Sequence, residues 1–239
     1  MKKAVIFSGA GLSAESGIPT FRSNNGLWDN YRIEDVTSPE GWEKDPALVL
    51  DFYEQRFEQM QNCKPNAAHY AIAQLQEQFD VLCITQNIDT LLERAGVKNV
   101  IHLHGRIDYA KCECHFLIPP QNIDEECDYR SEISKAIQMG DRCPKCSKKL
   151  RPDVVWFGEA VSLPKREIRR ILPEVEVFIG VGTSAKVYPA SSLLYYFDTV
   201  PHRYFIDPDP PEHLRLRYTF LEGTAAEKIP ELVASLLAK

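Results

Sequence analysis

No apolar run in this chain comes near the ~18 residues that a membrane-spanning helix needs, which excludes an integral helical membrane protein. Positive charge is also in short supply. Lys and Arg number 28 against 34 Asp and Glu, a net charge of −6, so wholesale binding to a nucleic-acid backbone is not expected. The one basic run, Lys165, Arg166, Arg169 and Arg170, reads as a solvated helix face. There is no internal repeat, low-complexity tract or linker-like segment. A leader pattern is missing too: Met1-Lys2-Lys3 runs straight into apolar residues, and the expected location is cytoplasmic.

What is present suits a soluble globular protein. The 239 residues are 44% hydrophobic and 26% charged, enough for one large domain carrying a smaller insertion. Short apolar runs at Ala4 to Phe7, Val81 to Thr85, Val100 to Leu103, Val154 to Phe157, Val175 to Val181 and Tyr204 to Ile206 read as strands buried on both faces. Helical periodicity separates several of them, at Ala67 to Gln78, Asp89 to Ala95, Pro189 to Phe197 and Ala226 to Leu237. This alternation predicts an α/β fold, a Rossmann-like parallel sheet covered on both sides. Residues 32–66 and 108–150 break the rhythm and are expected to form a small helical and Cys-rich domain. Residues 1–31, 67–107 and 151–239 then form the large one.

The first strand feeds Gly9-Ala10-Gly11-Leu12-Ser13-Ala14-Glu15-Ser16-Gly17. Its glycines suggest a loop whose backbone N–H groups approach a pyrophosphate closely. The spacing departs from G-x-G-x-x-G, so the glycines gain weight from their downstream neighbours: Pro19, Phe21 and Arg22 add a rigid bend, a ring and a permanent cation. Two further segments sit where an α/β sheet presents ligand loops. Thr85-Gln86-Asn87-Ile88-Asp89 offers two amides and a carboxylate after one strand. His102-Leu103-His104-Gly105 follows the next, with His104 placed to move a proton near neutral pH.

Seven cysteines in a chain expected to be cytoplasmic point to metal or buried thiols before disulfides. Cys63 and Cys83 read as isolated structural thiols. The other five cluster. Cys143-Pro144-Lys145-Cys146 is a turn that presents two thiolates to one zinc, and Cys112 lies upstream at a suitable distance. For the fourth ligand Cys114, His115 and Cys127 compete. A fully ligated zinc of this kind is structural, with no open position for substrate.

In this order, GAGLSAESGIPTFR (9–22), TQNID (85–89), HLHG (102–105), CPKC (143–146), RPDVVWFGE (151–159) and VGTSAKVYPA (181–190) resemble the motifs of the sirtuins, NAD-dependent protein-lysine deacylases, over nearly the full chain. The resemblance implies a cleft between a Rossmann-like domain and a zinc-ribbon domain, with NAD consumed as co-substrate, a structural Zn²⁺ and acyl-lysine proteins as partners. Gly9, Ala10, Gly11, Ser13, Glu15 and Trp28 would belong to the NAD site, with Phe21 and Arg22 around the nicotinamide-ribose. Gln86, Asn87, Ile88 and Asp89 would hold ribose and carboxamide. Gly182, Thr183, Ser184, Asp207 and Ala225 would hold the adenosine side. Asn87 and His104 would be catalytic, His104 as general base. Val155, Phe157, Gly158 and Glu159 would face the substrate peptide as an added strand. Cys112, Cys114, Cys143 and Cys146 would hold zinc.

The implied reaction releases nicotinamide as the acyl oxygen attacks the anomeric carbon. His104 then activates a ribose hydroxyl, the acyl group migrates, and free lysine and O-acyl-ADP-ribose result. An NAD glycohydrolase or ADP-ribosyltransferase on the same fold, or a non-catalytic NAD-sensing module, are the alternatives. Tyr53 and Arg56, three apart on one helix face, resemble the signature of the class III branch, which prefers succinyl- and malonyl-lysine. A guanidinium and a phenol in an apolar channel suit a terminal carboxylate. Two positions depart from the family pattern: Leu92 stands where a histidine is usual after TQNID, and Asp207 where an Asn is usual.

Overall fold

The computed structural model describes residues 1–20, 31–114 and 127–238. The positions assigned to Phe21, Arg22, Trp28 and His115 lie outside these. Strands are β1 (Lys2–Ser8), β2 (Phe79–Thr85), β3 (Val100–His102), β4 (Gly105–Cys112), β5 (Arg130–Glu132), β6 (Leu150–Val154), β7 (Val175–Val181), β8 (His202–Asp207) and β9 (Thr219–Glu222). Helices are α1 (Ile33–Val36), α2 (Pro39–Lys44), α3 (Pro46–Asn62), α4 (Ala67–Leu75), α5 (Leu91–Arg94), α6 (Lys165–Ile171) and α7 (Ala225–Leu237). None of the described helices is long and apolar enough to cross a membrane.

A six-stranded sheet runs β3-β2-β1-β7-β8-β9 with every neighbouring pair parallel. Central β1 explains its own apolar run. Ala4 to Phe7 are fully buried because strand alternation sends Ala4 and Ile6 to one face and Val5 and Phe7 to the other, and both faces are covered. Ile72, Leu75, Ile229 and Val233 of α4 and α7 cover the first face. Ile168 of α6 and Leu193, Leu194 and Phe197 of the 3₁₀ helix Ala190–Phe197 cover the second. Leu92, the first departure from the family pattern, is an apolar member of the α4/α7 core.

The second sheet is small and antiparallel, in the order β5-β4-β6. This corrects the strand expected at Val154 to Phe157. Only Val154 is in a strand there, and β6 pairs with β4 outside the parallel sheet. Val154 and Trp156 bury themselves with Trp42, Phe52 and Ile107 beneath α3, so the apolar run finds a core without joining the main sheet. α3 itself begins at Asp45, whose side chain accepts from Leu48 N–H, with Pro46 at the first helical position.

The two sheets meet at Gly105, the first residue of β4. Its φ of +78° and the Asp153 carbonyl 1.9 Å from where a Cβ would stand admit only glycine. The chain turns there from the end of the parallel sheet into the small one. The strand-end His104 is thereby placed at the junction.

Candidate active site

Ligands of open α/β sheets bind beyond the carboxyl ends of the strands, where the strand order reverses. Here that point lies between β1 and β7, and the loops after β1, β2, β3 and β7 converge on it. The Gly loop is closed against its neighbour: Gly9 N–H donates to Val181 O (3.0 Å) and Gly11 N–H to Gly182 O (2.9 Å). A Cβ on Gly11 would stand 2.6 Å from Gly182 Cα. The N–H groups of these two glycines are therefore taken up within the protein. Gly9 and Gly11 are required for two loops to touch. Ala10, between them, begins a 3₁₀ turn that leads to Ser13.

Ser13 is fully buried and is the hub of the site. Its hydroxyl donates to Asp89 Oδ2 (2.9 Å) and accepts from Asn87 Nδ2 (3.2 Å), with His69 Nε2 at 3.5 Å. His69 Nδ1 lies 3.2 Å from Asn66 N and 3.0 Å from Asn66 Oδ1, which holds the ring with Nε2 towards Ser13. The hydroxyl thus gives its proton to Asp89 and accepts from Asn87. Burial raises the carboxyl of Asp89, while bonds from Leu91 N–H and Ser13 favour its ionised form. Asp89 thus fixes the loop that carries Asn87. Gln86 reaches the opposite way, donating from Nε2 to Thr183 Oγ1 (2.9 Å) and tying the β2 loop to the β7 loop. Ile88 O accepts from Ile107 N–H, which anchors the same loop to β4.

His104 is half-buried, and its Nδ1 lies 2.9 Å from Gln86 O. A carbonyl only accepts, so Nδ1 carries the proton and Nε2 keeps a free lone pair. Burial lowers its pKa below the ordinary histidine value, the backbone hydrogen bond only partly opposing this. The ring is neutral near pH 7, the state a general base requires. Sequence reasoning missed the group behind it. His102 Nδ1 faces Asn87 O at 2.8 Å and Nε2 faces Glu93 Oε1 at 2.7 Å, so this ring links the Asn87 loop to α5. The first histidine of HLHG was the available signal.

Other predicted positions divide between the two sides. Ser184 Oγ accepts from Lys186 N–H (3.4 Å), and Asp207 Oδ1 accepts from Asp209 N–H (3.0 Å) in a turn at the end of β8. Glu15 caps α7: Oε2 accepts from Ala226 N–H (2.7 Å) and Oε1 from Thr224 Oγ1 (2.9 Å), beside buried Ala225. Its carboxylate is thereby held at that helix end. Val155 N–H donates to His104 O (2.9 Å), and exposed Phe157 donates its N–H to Thr37 O (2.9 Å). Gly158 has φ +92° in the turn closed by Glu159 N–H to Trp156 O. Glu159 is corrected: its carboxylate faces the interior. There it accepts from Arg151 Nη1 (2.6 Å) and Nη2 (3.0 Å) and from Trp156 N–H (2.7 Å). Burial would raise its carboxyl, but Arg151 holds it below the usual range.

On α3, Tyr53 is buried and its hydroxyl accepts from Trp156 Nε1 (3.0 Å); burial pushes the phenol up to about 12. The guanidinium of Arg56 lies over the Phe52 ring at 5.4 Å; burial lowers its pKa, and Tyr53 and Asp89 offset part of that. Arg56 is thus close enough to the Asp89 loop to feel its charge. In the small sheet, the Sγ atoms of Cys112, Cys127, Cys143 and Cys146 all lie within 4.8 Å of one another. Cys112 and Cys146 are 3.4 Å apart, and Cys127 and Cys143 3.5 Å. A tetrahedral zinc with Zn–S of ~2.3 Å needs S···S of about 3.8 Å, so this donor set fits. Cys114 is the correction. It lies in the turn after β4, with Sγ 3.9 Å from Cys146, while buried Cys127 takes the fourth place in the cluster.

Comparison with known proteins agrees with this geometry. Residues 9–189 match the model of the Sir2 family. The chain is 41% identical to an NAD-dependent protein deacylase of Bacteroides thetaiotaomicron over 99% of both chains. It is 40% identical to one of Pyrococcus furiosus, covering 98% of this chain and 92% of that one. Among solved structures, a Sir2 homologue in complex with NAD superposes with a TM-score of 0.82 at 39% identity, covering 99% of this chain and 90% of the other. A Sir2 homologue bound to ADP-ribose gives 0.83 at 38%, covering 99% and 92%. With its motifs in the family's order and its strand-end loops converging on one site, this chain belongs to the Sir2 family.

Proposed function

We propose that this protein is an NAD-dependent protein-lysine deacylase with a preference for succinyl- and malonyl-lysine. One observation carries the enzymatic reading: His104 is neutral, fixed through Nδ1, and offers Nε2 at the strand ends beside Asn87. NAD, when bound, supplies an anomeric carbon with a good leaving group. The residues then have separate tasks. Asn87, pinned by Ser13 and by His102, holds the reacting end in register. His104 Nε2 takes the proton of a ribose hydroxyl. The Val155 to Gly158 segment, tied to His104 O and Thr37 O, offers the backbone edge along which a peptide would lie. Cys112, Cys127, Cys143 and Cys146 would hold a structural zinc, joining β4 and the 143–146 turn to the chain at Cys127.

The acyl preference is supported by a half-buried cation beside a buried phenol, Arg56 and Tyr53, one turn apart on α3. A terminal carboxylate entering there gains a charge-assisted partner that an acetyl group lacks. Mass spectrometry with NAD and acetyl, malonyl, succinyl and glutaryl peptides tests activity and preference together. Arg56→Met is expected to lower kcat/KM for succinyl peptide by roughly 30-fold or more, since truncating one partner of a desolvated charge pair costs about 2 to 5 kcal/mol. Equal losses on acetyl and succinyl peptides would remove the preference.

A further inference from the structure

Tyr53 is 4% exposed, and its hydroxyl has one partner among the described residues, the indole of Trp156. An indole N–H only donates, so the phenol oxygen must accept, and the phenol proton is left to find an acceptor elsewhere. None of the described residues provides one. Arg56 cannot, because a guanidinium has donors only. With the phenol held protonated by burial, the site contains a buried O–H donor and, one turn on, a half-buried cation. A carboxylate accepts from both, whereas an acetyl methyl accepts from neither.

Trp156 is itself held firmly. The Arg151 guanidinium lies 3.3 Å over its ring, its backbone N–H donates to Glu159 Oε2, and Arg151 grips both oxygens of that carboxylate. The Trp42 ring packs beside it at 5.8 Å. The indole therefore has one orientation in which to meet Tyr53.

We propose that Trp156 is a specificity-determining positioning residue: by donating Nε1–H to Tyr53, it reserves the phenol proton for the terminal carboxylate of an acidic acyl chain. This rests on the acidic-acyl reading of the same site. Its effect is exerted through Tyr53 and needs no contact between Trp156 and the acyl group.

Replacing Trp156 with benzothienylalanine by codon suppression keeps the bicyclic shape and deletes the N–H; Trp156→Phe is a second variant should that protein fold poorly. Kinetics on succinyl and acetyl peptides are measured for the wild type, the 156 variant, Tyr53→Phe and the double variant. The ratio of succinyl to acetyl kcat/KM is expected to fall about 5- to 10-fold in the 156 variant, the size of one neutral hydrogen bond, chiefly through the succinyl KM. In the Tyr53→Phe background the same change adds nothing to the ratio. Parallel losses on both acyl groups, an unchanged ratio, or losses that multiply in the double variant overturn the role of Trp156. A wild type without succinyl preference, or an Arg56→Met variant that loses both activities equally, instead overturns the acidic-acyl reading beneath it.

Discussion

At the carboxyl ends of β1, β2 and β3 each chemical group lies within a few residues of the strand that carries it. Ser13, Asn87 and His104 are examples. Under α3 and in the small sheet, the groups that meet are far apart in the chain. Tyr53 receives its hydrogen bond from Trp156, and Cys112 and Cys127 find Cys143 and Cys146. The first region inherits its geometry from a parallel sheet whose central strand is buried from Ala4 to Ser8. The second has only a short antiparallel sheet and must fix its groups by cross-links between side chains. The sheet region should lose chemistry without losing its fold when a site residue changes, and the small region should lose both.

The sharpest break is His104→Ala. Deacylation should fall by about 10²- to 10⁴-fold, the typical contribution of a positioned base, while the thermal midpoint stays near that of the wild type. The burial-lowered pKa of His104 adds a signature: the acid limb of kcat/KM should lie below pH 6.5, because the ring must be neutral to act. In the small sheet, Cys127→Ser is expected to abolish bound zinc and lower thermal stability. Cys114→Ser should keep both, as metal analysis and calorimetry would report. Retention of zinc by Cys127→Ser, with loss in Cys114→Ser, would return the fourth ligand position to Cys114.

Arg151→Met tests the cross-link between β6 and the turn. It leaves Glu159 buried without its cation, and a loss of about 3 to 5 kcal/mol in denaturant unfolding is expected. The smallest effect falls in the sheet region. His69 is fully buried and its pKa is lowered by burial to about 4 from 6.5. The unfolded chain binds this proton more readily, so the neutral ring contributes stability above pH 6.5 that is lost as pH falls towards 4. At 1.36 kcal/mol per pKa unit this amounts to about 3 kcal/mol. Replacing His69 with Gln should flatten stability across that window, and an unchanged pH dependence would show that another group is responsible.

Legibility in the sequence followed the same division. β1, β2, β7 and β8 were recognisable because a strand buried on both faces must be continuously apolar, and the loops after them were recognisable because ligand groups follow strand ends. The apolar run at Val154 to Phe157 has the same appearance yet belongs to a different sheet, since an apolar tetrapeptide records burial and carries no information about its pairing partner. Glu15 and Glu159 read as ligand groups for a related reason. A carboxylate in a motif is equally suited to a helix N-terminus or a buried guanidinium, and only their positions decide.

The amino-acid sequence alone determined the parallel sheet, the loops that gather at its edge, the strand-end position of His104 and the thiol-rich character of the insertion. These depend on local periodicity and on residue types adjacent in the chain. Tertiary structure decided that Gly9 and Gly11 serve loop contact, that Cys127 completes the thiol cluster, and that Trp156 meets Tyr53. Each of these is a contact between distant segments, fixed by the shape of a packed interior and by the need to satisfy every buried donor and acceptor.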